Sequence, residues 1–228
     1  MSDKLPTIPN ATPDMTLKER QSFAARATLV EATMGCLDRF GYSDTSINRI
    51  QEAANVSRGA LTHHFPTKED LIVATLDRLL ITTLRPSLPS KRADSDKGLV
   101  GDLHYIARGL SRSREGRALV EILVAMRTDK NLRDRVSPRL QEWDQMIGEA
   151  ITGYYEAVSG NEEDLVLIWT IMRSFLRGLI LQEPFSPDER KIETMITRMG
   201  EIFNPLLRPR SKLEHLETYQ RDKNAKSL

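Results

Sequence analysis

A single cysteine, Cys36, leaves this chain without any intrachain disulfide, and the thiol usage suits a reducing compartment. Charge of one sign is also missing: 33 Lys and Arg stand against 32 Asp and Glu, for a net charge of +1. No global basic field draws in nucleic acid, so any DNA-binding surface has to be a local patch. There is no uninterrupted apolar run either. The most apolar window, "LVLIWTIMRSFLRGLIL", is broken by Arg173 and Arg177, each costing roughly 2.5–3.5 kcal/mol at a bilayer centre, and no membrane span is expected. The opening residues, "MSDKLPTIPNATPDM", carry prolines and no apolar stretch, so no signal peptide is expected and a cytoplasmic location follows. Alternating strands, Asn-Gly hairpins, Gly-rich phosphate loops and internal repeats are all lacking, which leaves an all-α chain. Its 228 residues are enough for one large domain, or a small one joined to a larger.

Helical spacing is what the chain does have. Pro6, Pro9 and Pro13 interrupt any helix up to about Thr16. From Arg20 to Phe40, Phe23, Ala27, Val30, Met34 and Leu37 recur as one apolar stripe, and Gly41 ends it. Thr45 reads as the N-cap of a short helix with Ile47, Ile50 and Ala54 on one face. Asn55 supplies a turn residue, and Ser57 caps a second short helix with Leu61 and Phe65 facing inward. Two short helices joined by about three residues form a helix-turn-helix. After Pro66, "TKED" predicts a capping box between Thr67 and Asp70. A helix then runs to about Leu84, with Leu71, Thr75, Leu79 and Ile72, Leu76, Leu80 along it.

The stretch "RPSLPSKRADSDKG" marks the clearest break. Beyond it, helices are predicted near 99–111, 115–128, 138–158, 162–183 and 187–203. Ser137-Pro138 and Ser186-Pro187 each place a cap before a proline at the first helical position, and Glu189 completes a second capping box.

The segment "TSINRIQEAANVSRGALTHHFPTKEDL" resembles the DNA-binding part of the tetracycline-repressor family of bacterial transcription regulators. Thr45, Ile47, Ile50, "EAANVS", Gly59, Leu61, "HHF", Lys68 and Leu71 carry the likeness, and with "RFGY" before them it spans about residues 20–80. Thr62 departs from it, standing where an aromatic is usual, as does Gln51, where alanine is commoner. The resemblance implies a three-helix DNA-binding domain followed by a larger helical domain for ligand binding and dimerisation. The expected organisation is a tail over 1–16, the helix-turn-helix domain over 17–66 and a connecting helix over 67–85. A linker over 86–98, the larger domain over 99–207 and a second mobile tail over 208–228 complete it.

In a helix-turn-helix the second helix enters the major groove with its amino-terminal residues at the base edges. Arg58 has the planar fork that suits guanine. Gly59 and Ala60 permit close approach, and Thr62 reads or flanks bases. Thr45, Ser46, Ser57, His63 and Lys68 are the candidate phosphate contacts, Lys68 because the first turn of a helix already favours an anion. His64 is expected to support Phe65. Neighbours at i, i+1 point about 100° apart and do not share a metal ion easily, so no metal and no cofactor is expected. Ser57 sits in no nucleophile elbow, and the chain is read as a non-enzyme.

Apolar stripes on the last two long helices, Met172, Phe175, Leu176 and Leu179 with Ile192, Met195, Ile196, Met199 and Phe203, are either internal core or a four-helix seam with a second copy. The resemblance implies the seam, and with it a two-fold dimer on a roughly palindromic operator. It also implies a small-molecule effector of unspecified identity. Arg108, Met126, Trp143, Met146, Ile147, Tyr154, Trp169 and Arg173 are candidate lining groups, although core packing accounts for most of them equally well. The reading is a repressor released by its ligand. The alternatives are a ligand-independent DNA-organising or partner-docking protein, and a small-molecule binder of this fold that has lost DNA binding.

Overall fold

A computed structural model describes residues 15–84, 98–110, 112–185 and 188–210. Among them the order is α1 (Leu17–Asp44), α2 (Ile47–Ala54), α3 (Arg58–His64), α4 (Lys68–Leu84), α5 (Gly98–Leu110), α6 (Arg114–Ala125) and α7 (Lys130–Ile151). A strand β1 (Tyr155–Ala157), α8 (Glu162–Gln182), α9 (Glu189–Phe203), a 3-10 turn (Asn204–Leu206) and a strand β2 (Leu207–Pro209) follow. None of these helices is long and apolar enough to cross a membrane. The described residues group into two compact units. One combines 15–82 with 113–142, the other 83–84, 98–110 and 112 with 143–185 and 188–210. The expected linker over 86–98 and the far parts of both expected tails lie outside the described residues.

In the first unit, α1 opens with a reciprocal capping box in which Glu19 N donates to Thr16 Oγ1 and Thr16 N to Glu19 Oε2. Leu29 and Cys36 of α1 pack with Ile50, Leu61, Phe65 and Leu71, so one small core fixes α2, α3 and the start of α4. Each such fully buried side chain contributes about 1.5–3 kcal/mol. The buried arc of α1 is rotated from the expected stripe: Ala27 is exposed, while Leu29, Thr33, Met34, Cys36 and Leu37 are buried. The reason is that α1 packs on two sides, against α2 and against α6. Arginines from α6 and α7 neutralise acids of α1 and α4. Arg117 grips Asp38 with two bonds at 2.6 and 3.2 Å, Arg139 Nε meets Asp77 at 2.8 Å, and Arg114 and Arg135 pair with Glu31 and Asp70.

In the second unit, α5 and α9 approach closely because position 200 is glycine: a Cβ there would stand 2.8 Å from Val100 Cγ2. Trp143, Ile147, Leu165, Trp169, Met172, Leu176 and Leu179 are buried, and Tyr155 Oη donates to Asp102 Oδ2 at 2.5 Å.

Two expectations about the elements, the start and the end of α7, are overturned. α7 starts at Lys130 instead of 138, leaving Pro138 inside the helix. Asp129 captures the start upstream, its carboxylate accepting from Leu132 N at 2.9 Å and its carbonyl from Arg133 N at 3.0 Å. α7 also stops at Ile151, and 155–157 forms a strand where helix was expected. It pairs antiparallel with 207–209, Glu156 opposite Arg208, so the expected tail is anchored at its beginning and the chain is not strandless. Three-residue strands are too short for alternation to show. Finally, α9 is capped by Asp188, whose side chain accepts from Arg190 N and Lys191 N. The expected cap at Ser186-Pro187 lies outside the described residues.

Candidate nucleic-acid interface

The turn between α2 and α3 is built from backbone requirements. Gly41 has φ 72 and ψ 174, a conformation open to glycine, and it interrupts α1. Thr45 was expected to cap α2, but its hydroxyl donates to the Gly41 carbonyl at 2.6 Å and the residue is wholly buried. The cap is Ser46, whose Oγ accepts from Arg49 N at 3.3 Å. Thr45 therefore has no surface to offer a phosphate, and Ser46, exposed one residue later, does. α2 ends on Asn55 in the left-handed region (φ 52, ψ 46), with Asn55 N bonded to Glu52 O and Val56 N to Gln51 O. Ser57 then caps α3, accepting from Ala60 N at 3.2 Å.

α3 is pinned from below and open above. Leu61 and Phe65 are buried in the core, whereas Arg58, Gly59, Ala60, Thr62 and His63 are all exposed. The Arg58 guanidinium makes no hydrogen bond or ion pair among the described residues, which leaves its five donors available. The Thr62 hydroxyl donates back to the Arg58 carbonyl at 3.0 Å or the Gly59 carbonyl at 3.2 Å, which commits its proton to the helix and leaves its lone pairs to accept.

His63 is exposed and His64 half-buried, their rings edge-to-face with centroids 5.3 Å apart. Arg26 holds the end of the helix, donating to the His64 carbonyl at 2.9 Å with its guanidinium 4.3 Å from the Phe65 ring centre. Burial, then His63 and Arg26, hold the His64 imidazole below its usual pKa. Among the described residues no third ligand-type side chain joins the pair to make a metal site.

The structure redirects Lys68. Its ammonium donates to the Tyr42 carbonyl at 2.8 Å and sits 4.0 Å from that ring's centre. Burial pushes its pKa down against the pull of Glu69 and Asp129. It is a clamp on the end of α1, not a free cation over a phosphate. Tyr42, to which the sequence reading gave no role beyond the likeness of "RFGY", is the hub: its amide donates to Glu121 Oε2 and its hydroxyl to Asp129 Oδ2, both at 3.1 Å. Arg49, also missed, is exposed with its guanidinium 4.4 Å from the Phe40 ring centre.

The candidate lining groups are divided between the two units. Met126 belongs to the first unit, and the other seven to the second. Arg108 borders a half-open cavity of about 490 Å³ with Val100, Gly101, His104 and Glu193. Trp143, Ile147, Trp169 and Arg173 are buried, while Met146 and Tyr154 are half-buried. The expected seam is corrected as well. Met172, Leu176, Leu179 and Ile196 are buried within their own unit, so they are core; Phe175, Ile192, Met195, Met199 and Phe203 keep partial exposure. On α8 and α9 the outward large apolar residues are Leu167, Ile171, Leu181 and Ile202.

Comparison with known proteins agrees with this geometry. Residues 29–75 match the family described as bacterial regulatory proteins, tetR family. The HTH-type transcriptional regulator CymR of Pseudomonas putida is 24% identical over 195 residues, covering 84% of this chain and 95% of the relative. A tetR-family regulator structure from Rhodococcus sp. superposes with a TM-score of 0.61 at 17% identity, over 78% of this chain and 98% of the other. A transcriptional regulator structure from Saccharomonospora viridis, solved in complex with choline, gives a TM-score of 0.56 at 16% identity, over 80% and 96% of the two chains. With its helix-turn-helix, its helical fold and these relatives, the chain belongs to the tetR family and is a DNA-binding transcriptional regulator.

Proposed function

We propose that the chain is a repressor that binds a roughly palindromic operator as a two-fold dimer and is released by a small-molecule effector. The observation that carries this is the α3 surface, where exposed Arg58, Gly59, Ala60, Thr62 and His63 stand on a helix fixed by buried Leu61 and Phe65. Arg58, Gly59, Ala60 and Thr62 meet base edges; Ser46, Ser57 and His63 position the protein on phosphates.

For the dimer, α8 supports a second copy as occupant of its outer face. Leu167, Ile171, Ser174, Gly178 and Leu181 recur at helical spacing, and Leu167, Ile171 and Leu181 are 59%, 42% and 51% exposed. Small Ser174 and Gly178 in the middle of the row allow two identical helices to approach closely, and a face meeting its own copy closes an isologous pair. Ile202 of α9, 64% exposed, extends the apolar surface. For release, the effector has to bind the DNA-incompetent state more tightly than the DNA-bound one. That the Saccharomonospora regulator was solved with choline supports a small-molecule site in this fold.

Selection of bound sequences from a random duplex pool, at two salt concentrations, tests the reading. A recovered palindrome with half-sites about one helical turn apart, or a related spacing, is the expected result. Recovery of no sequence preference would overturn it.

A further inference from the structure

Four hydrogen-bond donors in the second unit are buried with nothing to give to. Trp143 Nε1, Trp169 Nε1, Arg173 Nε and Arg177 Nε have no partner among the described residues. Buried donors in folded proteins are nearly always paired, and four on two neighbouring helices ask for an acceptor.

They belong to one seam. Trp169, Arg173 and Arg177 are spaced i, i+4, i+8 and share a face of α8. Arg173 Nη2 donates to Asp144 Oδ1 of α7, and Gly148 of α7 lies against Val166 of α8. Residues 143–148 therefore run antiparallel to 166–173. Trp143 and Ile147, one turn apart on α7, are each 1% exposed.

The charge is unbalanced. The Arg173 side chain is only 8% exposed, while Asp144, its carboxylate partner, is 60% exposed and open to water. Arg177 is one turn away with the same sign, and its pKa is held down by burial and by Arg173, with Asp144 opposing. A buried and a half-buried guanidinium beside one largely solvated carboxylate leave a second negative charge wanting. A guanidinium fork matches two oxygens in a plane, and indole N–H groups are donors only. A cation would be repelled here, and a neutral amide would offer one acceptor oxygen, no charge and an NH2 group that meets donors with donors.

We infer that this α7–α8 seam binds a small organic acid, whose carboxylate accepts from Arg173 and Arg177 and whose apolar body lies against Trp143 and Trp169. The inference rests on the effector reading above and names the effector's chemical class.

The sequence holds two tryptophans, and both are in the seam, so intrinsic fluorescence reports on it directly. The full chain is titrated with straight-chain acids from acetate to decanoate and with benzoate, each beside its amide at matched ionic strength. At least one acid, and not its amide, is expected to change the emission saturably. Arg177→Gln should weaken that acid about tenfold or more, while its melting temperature without acid shows that it folds. Arg177→Lys, which keeps the charge and loses the fork, should fall between. No response to any acid, an equal response to acid and amide, or unchanged affinity in Arg177→Gln would overturn the assignment. Operator release is measured on the same samples. Release by a non-acid with unchanged tryptophan emission removes the acid site and keeps the effector reading. Acid binding without release keeps the site and removes that reading.

Discussion

The ammonium of Lys68 donates to the Tyr42 carbonyl while lying 4.0 Å from the centre of the same residue's ring, so one side chain ties the start of α4 to the end of α1. A half-buried cation–π contact with a charged hydrogen bond is worth about 1–3 kcal/mol. Lys68→Met is expected to lower stability by about that much in urea denaturation. The slope of log affinity against log salt should stay as it is, because no phosphate contact is lost. A slope shallower by about 0.9 would instead place Lys68 on the DNA.

Arg58 is exposed at the start of α3, and its guanidinium has no partner among the described residues. Arg58→Ala should therefore leave stability within about 0.5 kcal/mol of the parent. Operator binding should weaken by about 1–3 kcal/mol, with preference lost at one base pair of each half-site. Competition assays across single-base operator variants separate this from uniform weakening, which would mark a phosphate contact.

Ile171 and Leu176 sit five residues apart on α8 with opposite environments, 42% and 1% exposed. Ile171→Glu should fold normally and shift the chain towards monomer in sedimentation, since dimerisation would bury an unpaired carboxylate at a cost of several kcal/mol. Leu176→Glu should fail to fold. A dimer as tight as the parent in Ile171→Glu would clear this face of the role.

His64 has a folded pKa below its ordinary 6.5, first through burial and then through His63 and Arg26. The unfolded chain binds the proton more readily than the folded one, so His64 contributes stability that is present above pH 6.5 and lost as pH falls through the lower folded value. His64→Gln should flatten the decline in melting temperature below pH 6.5. An unchanged decline would assign it to other groups.

The helix-turn-helix was legible because its signals are local: Asn55 at the turn, Ser57 as a cap, Leu61 and Phe65 at i, i+4, and the Thr67–Asp70 box, whose carboxylate accepts from Thr67 N at 3.1 Å. Thr45 was misread because cap chemistry is the same for two adjacent hydroxyls, and only the carbonyl of Gly41 decides between them. Lys68 and Tyr42 needed contacts 26 residues apart in the chain. On α8 the apolar content was visible but its direction was not, since residues cover most of the circumference. Burying Arg173 while exposing Leu167 and Ile171 goes against pattern, and only packing reveals it.

The lone thiol has a practical corollary. Cys36 is 2% exposed in the core beneath α3, and burial raises its pKa, so it resists alkylation at neutral pH in the folded chain. A second cysteine placed at an exposed position such as 62 can then carry a spin label without first removing the native one. In a symmetric pair of chains such a label yields a single inter-probe distance, and pulsed resonance could follow the separation of the two α3 helices as an effector is added.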